Sequence, residues 1–109
     1  MIKNLESAQI MKLDEQVDYA TGQVVSKTLS QNKNVSLTLF AFDQHEGLST
    51  HTSTGDALVQ VLDGMVEIVI DDTPYTLHKG ETICMPANVP HSLYATTRFK
   101  MLLTVVFAQ

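Results

Sequence analysis

Two histidines, His51 and His91, are the side chains of this sequence best suited to forming a functional site. A neutral imidazole binds divalent transition metals and also hydrogen-bonds small molecules. The two histidines lie about forty positions apart, so they become neighbours only if the fold places two distant segments side by side. Three interpretations stay open: the pair binds a metal, it hydrogen-bonds a ligand or water, or both residues are purely structural.

Three further residues are candidates for the same pocket. Ser53 lies two positions after His51, and residues two apart on a β-strand point to the same face. His45 lies in a predicted loop before His51, from which it is able to fold over the mouth of a pocket. Met101 alternates with Lys100 and is therefore expected to face inward, either as core or as an apolar pocket wall.

A metal held by two imidazoles would need further donors, because catalytic zinc sites usually have three protein ligands. Gln44 and His45 are the nearest candidates in the sequence, and Glu46 and Asp56 are weaker ones.

After residue 22 the chain has the pattern of short strands separated by turns. Val, Ile, Thr and Phe suit a pleated surface, whereas Gly, Asn, Asp and Pro mark turns. The pair Asp63-Gly64 predicts a hairpin, since these residues tolerate the positive φ of a type I′ turn. The period of two predicts that Ala57, Val59 and Val61 point inward. The predicted strands cover residues 23–30, 35–42, 50–53, 56–62, 65–70, 75–78, 81–85, 91–95 and 99–107.

Such a series of short strands predicts a sandwich or a barrel. The first 22 residues lack this pattern. There, Ser7 is able to cap a short helix with Ile10, Met11 and Leu13 on its apolar side, or the segment is an irregular arm.

The composition indicates a single globular domain: 109 residues, of which 44% are hydrophobic and 17% charged. The net charge is -5 and the seven basic residues are scattered, which disfavours nucleic acid and membrane surfaces as partners. No window resembles a signal peptide or a membrane span. The single cysteine, Cys84, lies in an apolar run and is expected to be buried. One cysteine fits a reducing compartment, so we expect a cytoplasmic protein.

Two segments resemble the paired motifs of the cupin superfamily. The first is GLSTHTSTGDALVQVLDG, residues 47–64, and the second is GETICMPANVPHSLYA, residues 80–95. The glycine frame and the spacing from Pro86 to His91 match. The resemblance covers roughly residues 35–107 and implies a small type-2, RmlC-like cupin.

The implied fold is an all-β double-stranded β-helix, or jelly-roll, barrel with a short irregular or helical N-terminal arm. We therefore expect one cupin domain over residues 1–109, with the arm at 1–22 and the barrel core at 35–107.

The resemblance also implies a degenerate metal site. The two histidines and the glutamate that the first motif usually supplies fall on His51, Ser53 and Ala57. The histidine of the second motif falls on His91, and its usual asparagine falls on Ala95. Two of the four expected ligands therefore remain.

We accordingly expect a small-molecule-binding cupin of unassigned activity, either with or without one weakly held divalent transition metal (zinc, nickel, iron or manganese). The metal ligands would be His51 and His91, and the ligand-binding set would be His51, Ser53, His91, Met101 and His45. The alternatives are a metal-dependent dioxygenase or isomerase acting on a small molecule, and a structural or partner-binding domain without a small ligand.

A homodimer is also expected. Leu58 and Leu62, together with Phe40 and Phe42, are predicted to form an outward apolar patch. In addition, the strand at 23–30 is able to extend a neighbour's sheet. Cupins are commonly dimers, which supports the same prediction.

Overall fold

Nine β-strands and one short 3-10 helix form the regular structure of the computed structural model, which describes residues 1–108. The helix, Leu13–Glu15, is the only helical element of these residues, and no helix among them is long and apolar enough to cross a membrane. The all-β prediction is confirmed, and the arm is irregular apart from this single turn. The strands are β1 Val24–Gln31, β2 Val35–Phe42, β3 Gly47–His51, β4 Asp56–Asp63, β5 Met65–Ile70, β6 Thr73–His78, β7 Thr82–Met85, β8 His91–Ala95 and β9 Phe99–Val106.

The strands form two antiparallel sheets, as in the predicted jelly-roll barrel. The five-stranded sheet has the order β1-β2-β9-β4-β7, and the four-stranded sheet has the order β3-β8-β5-β6. Side chains alternate between the two faces of each strand, so the inner faces supply the main core. On β4, Ala57, Val59 and Val61 are 2%, 0% and 3% exposed, as predicted, and Asp56 is exposed.

The prediction of a hairpin at Asp63-Gly64 is wrong. Strand β4 pairs with β7 and β9, whereas β5 pairs with β6 and β8, so this turn carries the chain from one sheet to the other. Gly64 has a φ of +75°, and a Cβ at this position would overlap the carbonyl oxygen of Arg98. The tight hairpin instead joins β5 to β6, where Asp71 and Asp72 both have positive φ.

The N-terminal arm (residues 1–22) covers part of the outer face of the five-stranded sheet. A second apolar cluster lies there, separate from the core between the sheets. The arm thereby gives the outer face of β2 a packing partner within the same chain. Its buried members are Val17 of the arm with Leu29, Leu39 and Ala41 of the sheet.

Tyr19 anchors the arm to the sheet. Its hydroxyl donates a hydrogen bond of 2.5 Å to Oδ2 of Asp63, and its ring lies beneath the cationic groups of Arg98 and Lys100, 5.2 and 4.7 Å from the ring centroid. Burial and then the Asp63 carboxylate raise the pKa of Tyr19 above its usual value. Lys100 Nζ also donates to the carbonyl oxygen of Asp14 in the arm.

The expectation that Phe42 and Leu62 form an exposed patch is wrong. Phe42 is fully buried on the inner side, where its ring stacks on Phe99 with centroids 4.6 Å apart. Leu62 does point outward, but it packs against the cluster beneath the arm. Phe40 is half-buried against the main core. The arm and the alternation of β2 therefore remove most of the predicted patch.

The prediction that Cys84 is buried is also wrong, because its side chain is exposed. Strand β7 lies at an edge of its sheet, where Met85 is buried and Ile83 packs against the core. Cys84 lies between them and points to the outer face, opposite Leu58 of β4. An apolar run on an edge strand has one face toward solvent, and the sequence alone did not reveal which strand was the edge.

Candidate functional site

Strands β3 and β8 place His51 and His91 opposite each other. The antiparallel register pairs the two residues directly, and Ile70 of β5 pairs with His91 on its other side. Because β3 ends at His51 and β8 begins at His91, the pair lies at the ends of both strands. The site is therefore at the rim of the four-stranded sheet.

A β-bulge in β3 brings the two rings together. The register shifts between Leu48, which pairs with Leu93, and His51. Without this shift Thr50 would stand opposite His91, and His51 would point to the outer face. Bulges commonly re-aim a side chain in this way next to functional sites.

The two imidazoles meet through their Nε2 atoms. These atoms lie 3.1 Å apart, and the rings are nearly perpendicular, at 72°, with centroids separated by 4.4 Å. His91 is only 3% exposed, whereas His51 is exposed. The pair is therefore accessible from the His51 side, and His91 lies beneath it.

The other nitrogen of each ring lies close to a backbone carbonyl oxygen. Nδ1 of His51 is 2.7 Å from the carbonyl oxygen of Ser49, and Nδ1 of His91 is 3.2 Å from that of Val89. A carbonyl oxygen only accepts, so in each of these two hydrogen bonds Nδ1 is the donor. When both rings are in this Nδ1–H tautomer, the two Nε2 atoms 3.1 Å apart each carry a lone pair.

The environment of His91 favours its neutral form. Burial lowers the pKa of this imidazole, and the neighbouring His51 lowers it further, against an opposing effect of the Val89 carbonyl. At neutral pH an extra proton between the two rings is therefore disfavoured.

This shift predicts that the metal-free protein loses stability as the pH falls. The unfolded chain takes up a proton at His91 near its ordinary pKa of about 6.5, before the folded protein does, so protonation favours unfolding. Urea unfolding with a chelator present should show a lower free energy of unfolding at about pH 5.5 than at about pH 7.5. The His91→Gln variant should lose most of this dependence and His78→Gln should keep it. Equal pH dependence in all three proteins would contradict the prediction.

The contacts of Ser53 and Met101 stabilise the fold. Ser53 Oγ accepts the backbone N–H of Gly55 over 3.1 Å, which closes a turn after β3. Met101 is fully buried in the main core, on a strand between Phe40 and Val61. The structure therefore places Met101 in the packed interior.

His45 lies on a different face of the four-stranded sheet. Its Nδ1 is 2.6 Å from the hydroxyl oxygen of Tyr94, an exposed residue of β8. Tyr94 is three positions from His91, roughly 10 Å along the strand, and points to the opposite side. Nearby, the Gln44 side chain donates to the carbonyl oxygen of Thr96. The structure thus does not bring His45 or Gln44 together with the histidine pair.

The histidine pair fits a metal ion in geometry but offers few ligands. Two imidazole nitrogens at about 2.0–2.1 Å from one ion lie roughly 3 Å apart, which matches the separation of the two Nε2 atoms. Metal-bound histidines also usually donate their other N–H to a carbonyl or carboxylate, as both do here. No cluster of three or more His, Cys, Asp or Glu suited to a metal occurs within residues 1–108. The protein therefore supplies two donors, and an ion would hold open positions.

A cavity of about 270 Å³ opens at this end on the outer face of the four-stranded sheet, where Val69 and Ser92 pair with each other and point to the side opposite the His91 imidazole. The tip of the β5–β6 hairpin forms one side of it through Asp71 and Asp72, and Pro90 and Ser92 form another. This volume lies near the lower end of the range for small-molecule pockets. Sequence reasoning missed the hairpin tip, because Asp71-Asp72 has the composition of an ordinary turn.

The fold and the rim position of the histidines define a double-stranded β-helix protein with its candidate site at one end of the barrel. The family model described as "Cupin domain" matches residues 38–107. The chain belongs to the cupin family. Among curated proteins, none matches the chain.

Solved structures of similar proteins support the same assignment. A conserved protein of unknown function from Streptococcus pyogenes is 41% identical over 99% of this chain and 95% of that chain, with a TM-score of 0.97. A cupin superfamily protein from Desulfitobacterium hafniense is 30% identical over 99% of both chains, with a TM-score of 0.95. A cupin 2 conserved barrel domain protein from Leptotrichia buccalis is 42% identical over 88% of this chain but 47% of that chain, with a TM-score of 0.86.

Proposed function

We propose that this cupin binds a small molecule at the His51–His91 pair, together with one divalent transition metal held weakly by the two Nε2 atoms. The observation that carries the proposal is the 3.1 Å separation of the two Nε2 atoms, with both Nδ1 atoms within hydrogen-bond distance of carbonyl oxygens. When both rings donate from Nδ1, the two Nε2 lone pairs are available to a single cation. The lowered pKa of His91 disfavours an added proton in that role.

The metal, when bound, would supply a Lewis-acidic centre with open coordination positions. His91 would hold it from the buried side and His51 from the exposed side. The chain's own residues thus leave the remaining positions to a molecule with oxygen or nitrogen donors. The entrance for this molecule is the exposed side of His51.

Binding is a better-supported function than oxygenation. Non-haem iron oxygenases use two histidines and a carboxylate. The position at which the cupin carboxylate falls is Ala57, which is 2% exposed and packed in the core. Asp56, one of the two acids considered from the sequence, accepts the backbone N–H of Ala87 over 2.8 Å and is thereby already engaged.

Removing either histidine should abolish metal binding, because one imidazole cannot hold the ion. Calorimetric titration of the untagged protein with Zn²⁺ should show one site, and His51→Ala or His91→Ala should weaken it by at least about 100-fold. His78→Ala is the matched control, since His78 is exposed and its ring lies against Glu81, away from the histidine pair. Elemental analysis of the untagged protein would identify a metal carried through purification. A wild-type protein that binds neither Zn²⁺ nor Co²⁺ would contradict the proposal.

We further propose that the protein is a homodimer that associates through the part of the five-stranded sheet left uncovered by the arm. Val106 is 51% exposed there, and Leu58 and Cys84 lie on the same outer face. Light scattering at micromolar concentration should give twice the monomer mass, and Val106→Lys should reduce it. A monomeric mass for the wild-type protein would contradict this prediction.

A further inference from the structure

The loop between β7 and β8 carries the carbonyl group that orients His91. The carbonyl oxygen of Val89 lies 3.2 Å from Nδ1 of His91, and Pro90 separates the two residues. A residue before proline is restricted to extended conformations, which limits where the Val89 carbonyl points. Asn88 has a φ of +63°, so the loop also contains a tight turn.

Two hydrogen bonds tie this loop to the segment after β3. Asn88 N–H donates to the carbonyl oxygen of Ser53 over 2.7 Å, and Ala87 N–H donates to Oδ1 of Asp56 over 2.8 Å. The second bond is made by a side chain, so it is the one that a substitution removes. Asp56 itself points away from the barrel interior.

The proton of His91 has two competing acceptors. On Nδ1 it is donated to the Val89 carbonyl, over a rather long 3.2 Å. On Nε2 it would instead be donated to Nε2 of His51, which is 3.1 Å away and carries a lone pair. The second tautomer joins the two rings to each other and removes the lone pair that a metal needs. Displacement of the Val89 carbonyl away from Nδ1 therefore favours the second tautomer.

From this competition we infer that Asp56 is a positioning residue for the site: by fixing the 86–90 loop it keeps the Val89 carbonyl in place and so holds His91 in the Nδ1–H tautomer. The inference rests on the proposed function, because only the Nδ1–H tautomer leaves Nε2 of His91 free. Asp56 acts through Ala87 and Val89 and does not contact the metal or the ligand.

The test is ¹⁵N NMR of histidine-labelled, metal-free protein at a single pH above about 7.5, well above the ordinary histidine pKa of about 6.5. In the wild-type protein both histidines should show a protonated Nδ1 and an unprotonated Nε2. In Asp56→Ala, His91 should shift toward the Nε2–H tautomer. Asp56→Asn keeps a side-chain oxygen that accepts the Ala87 N–H and should resemble the wild type.

Glu81→Ala is the matched control, because Glu81 is also an exposed carboxylate that accepts a backbone N–H, that of His78, over 2.8 Å. It should leave the His91 tautomer unchanged. The Zn²⁺ affinity should fall about tenfold in Asp56→Ala and stay near the wild-type value in Asp56→Asn.

An unchanged His91 tautomer in Asp56→Ala, with faster exchange of the Ala87 amide hydrogen, would overturn the inference. The NMR readout needs no metal, so it is separate from failure of the proposed function, which would appear as absent Zn²⁺ binding in the wild type. If Asp56→Ala does not fold, Asp56→Leu and the folded Asp56→Asn protein provide the comparison. An Asp56→Asn spectrum with His91 in the Nε2–H form would also overturn the inference.

Discussion

The double variant Ser53→His with Ala57→Glu should bind Zn²⁺ at least about 100-fold more tightly than the wild type, because it raises the number of protein donors from two to four. The two positions are those at which the cupin ligands fall. Ala57 is buried on the inner face of β4, so a side chain placed there points into the barrel. Calorimetry and the Co²⁺ absorption spectrum would measure the gain.

The matched control is Ser53→His with Ala57→Gln, which has almost the same volume as the double variant but lacks the carboxylate. It should recover only part of the affinity, since a neutral amide is a weaker ligand. Loss of the Ser53 hydrogen bond to Gly55 affects both variants equally. If the double variant folds and binds no more tightly than the wild type, positions 53 and 57 do not converge on the histidine pair.

Gly64→Ala should lower the free energy of unfolding by about 3 kcal/mol or more. A positive φ costs an L-residue roughly 1–2 kcal/mol. At this position, the added Cβ would also overlap the backbone carbonyl of Arg98, which has no flexible side chain to move aside. Urea unfolding monitored by circular dichroism would measure the difference.

Gly80→Ala separates the cost of the positive φ from the cost of the steric overlap. Gly80 has a φ of +88°, and no atom lies within 4 Å of its would-be Cβ. This variant should therefore lose only about 1–2 kcal/mol from the backbone conformation. Equal losses in the two variants would show that the crossover between the sheets adjusts freely around Arg98.

Local sequence patterns predicted the strands well, because turn residues and alternation act over a few positions. The span of β2 matched its predicted bounds, and the inward set on β4 was correct. The partners of each strand were not predictable in the same way. Asp63-Gly64 has the sequence of a hairpin turn, yet whether β5 folds back on β4 or crosses to the other sheet depends on strands far along the chain.

The candidate site was predictable at the level of residues but not of atoms. The motif resemblance singled out His51 and His91, and the structure brings them together. The bulge in β3 and the carbonyl groups that receive the Nδ1 hydrogens are backbone features, and no residue type encodes them. His45 was predicted to lie near the mouth because it precedes His51 closely in the sequence, but it hydrogen-bonds Tyr94 on the other face.

The central place of β9 in its sheet has a consequence for how the chain folds. This strand pairs with β2 on one side and β4 on the other, so Val35 meets Val106 and Phe42 meets Phe99. During synthesis, every other strand emerges from the ribosome before β9 does. Until then β2 and β4 have no partner between them, and the surface on which Tyr19 docks, with Arg98 and Lys100, does not exist. Such long-range pairing makes folding slow and leaves apolar strand edges open meanwhile. We therefore expect completion of the five-stranded sheet, and with it the docking of Tyr19, to be a late event in folding.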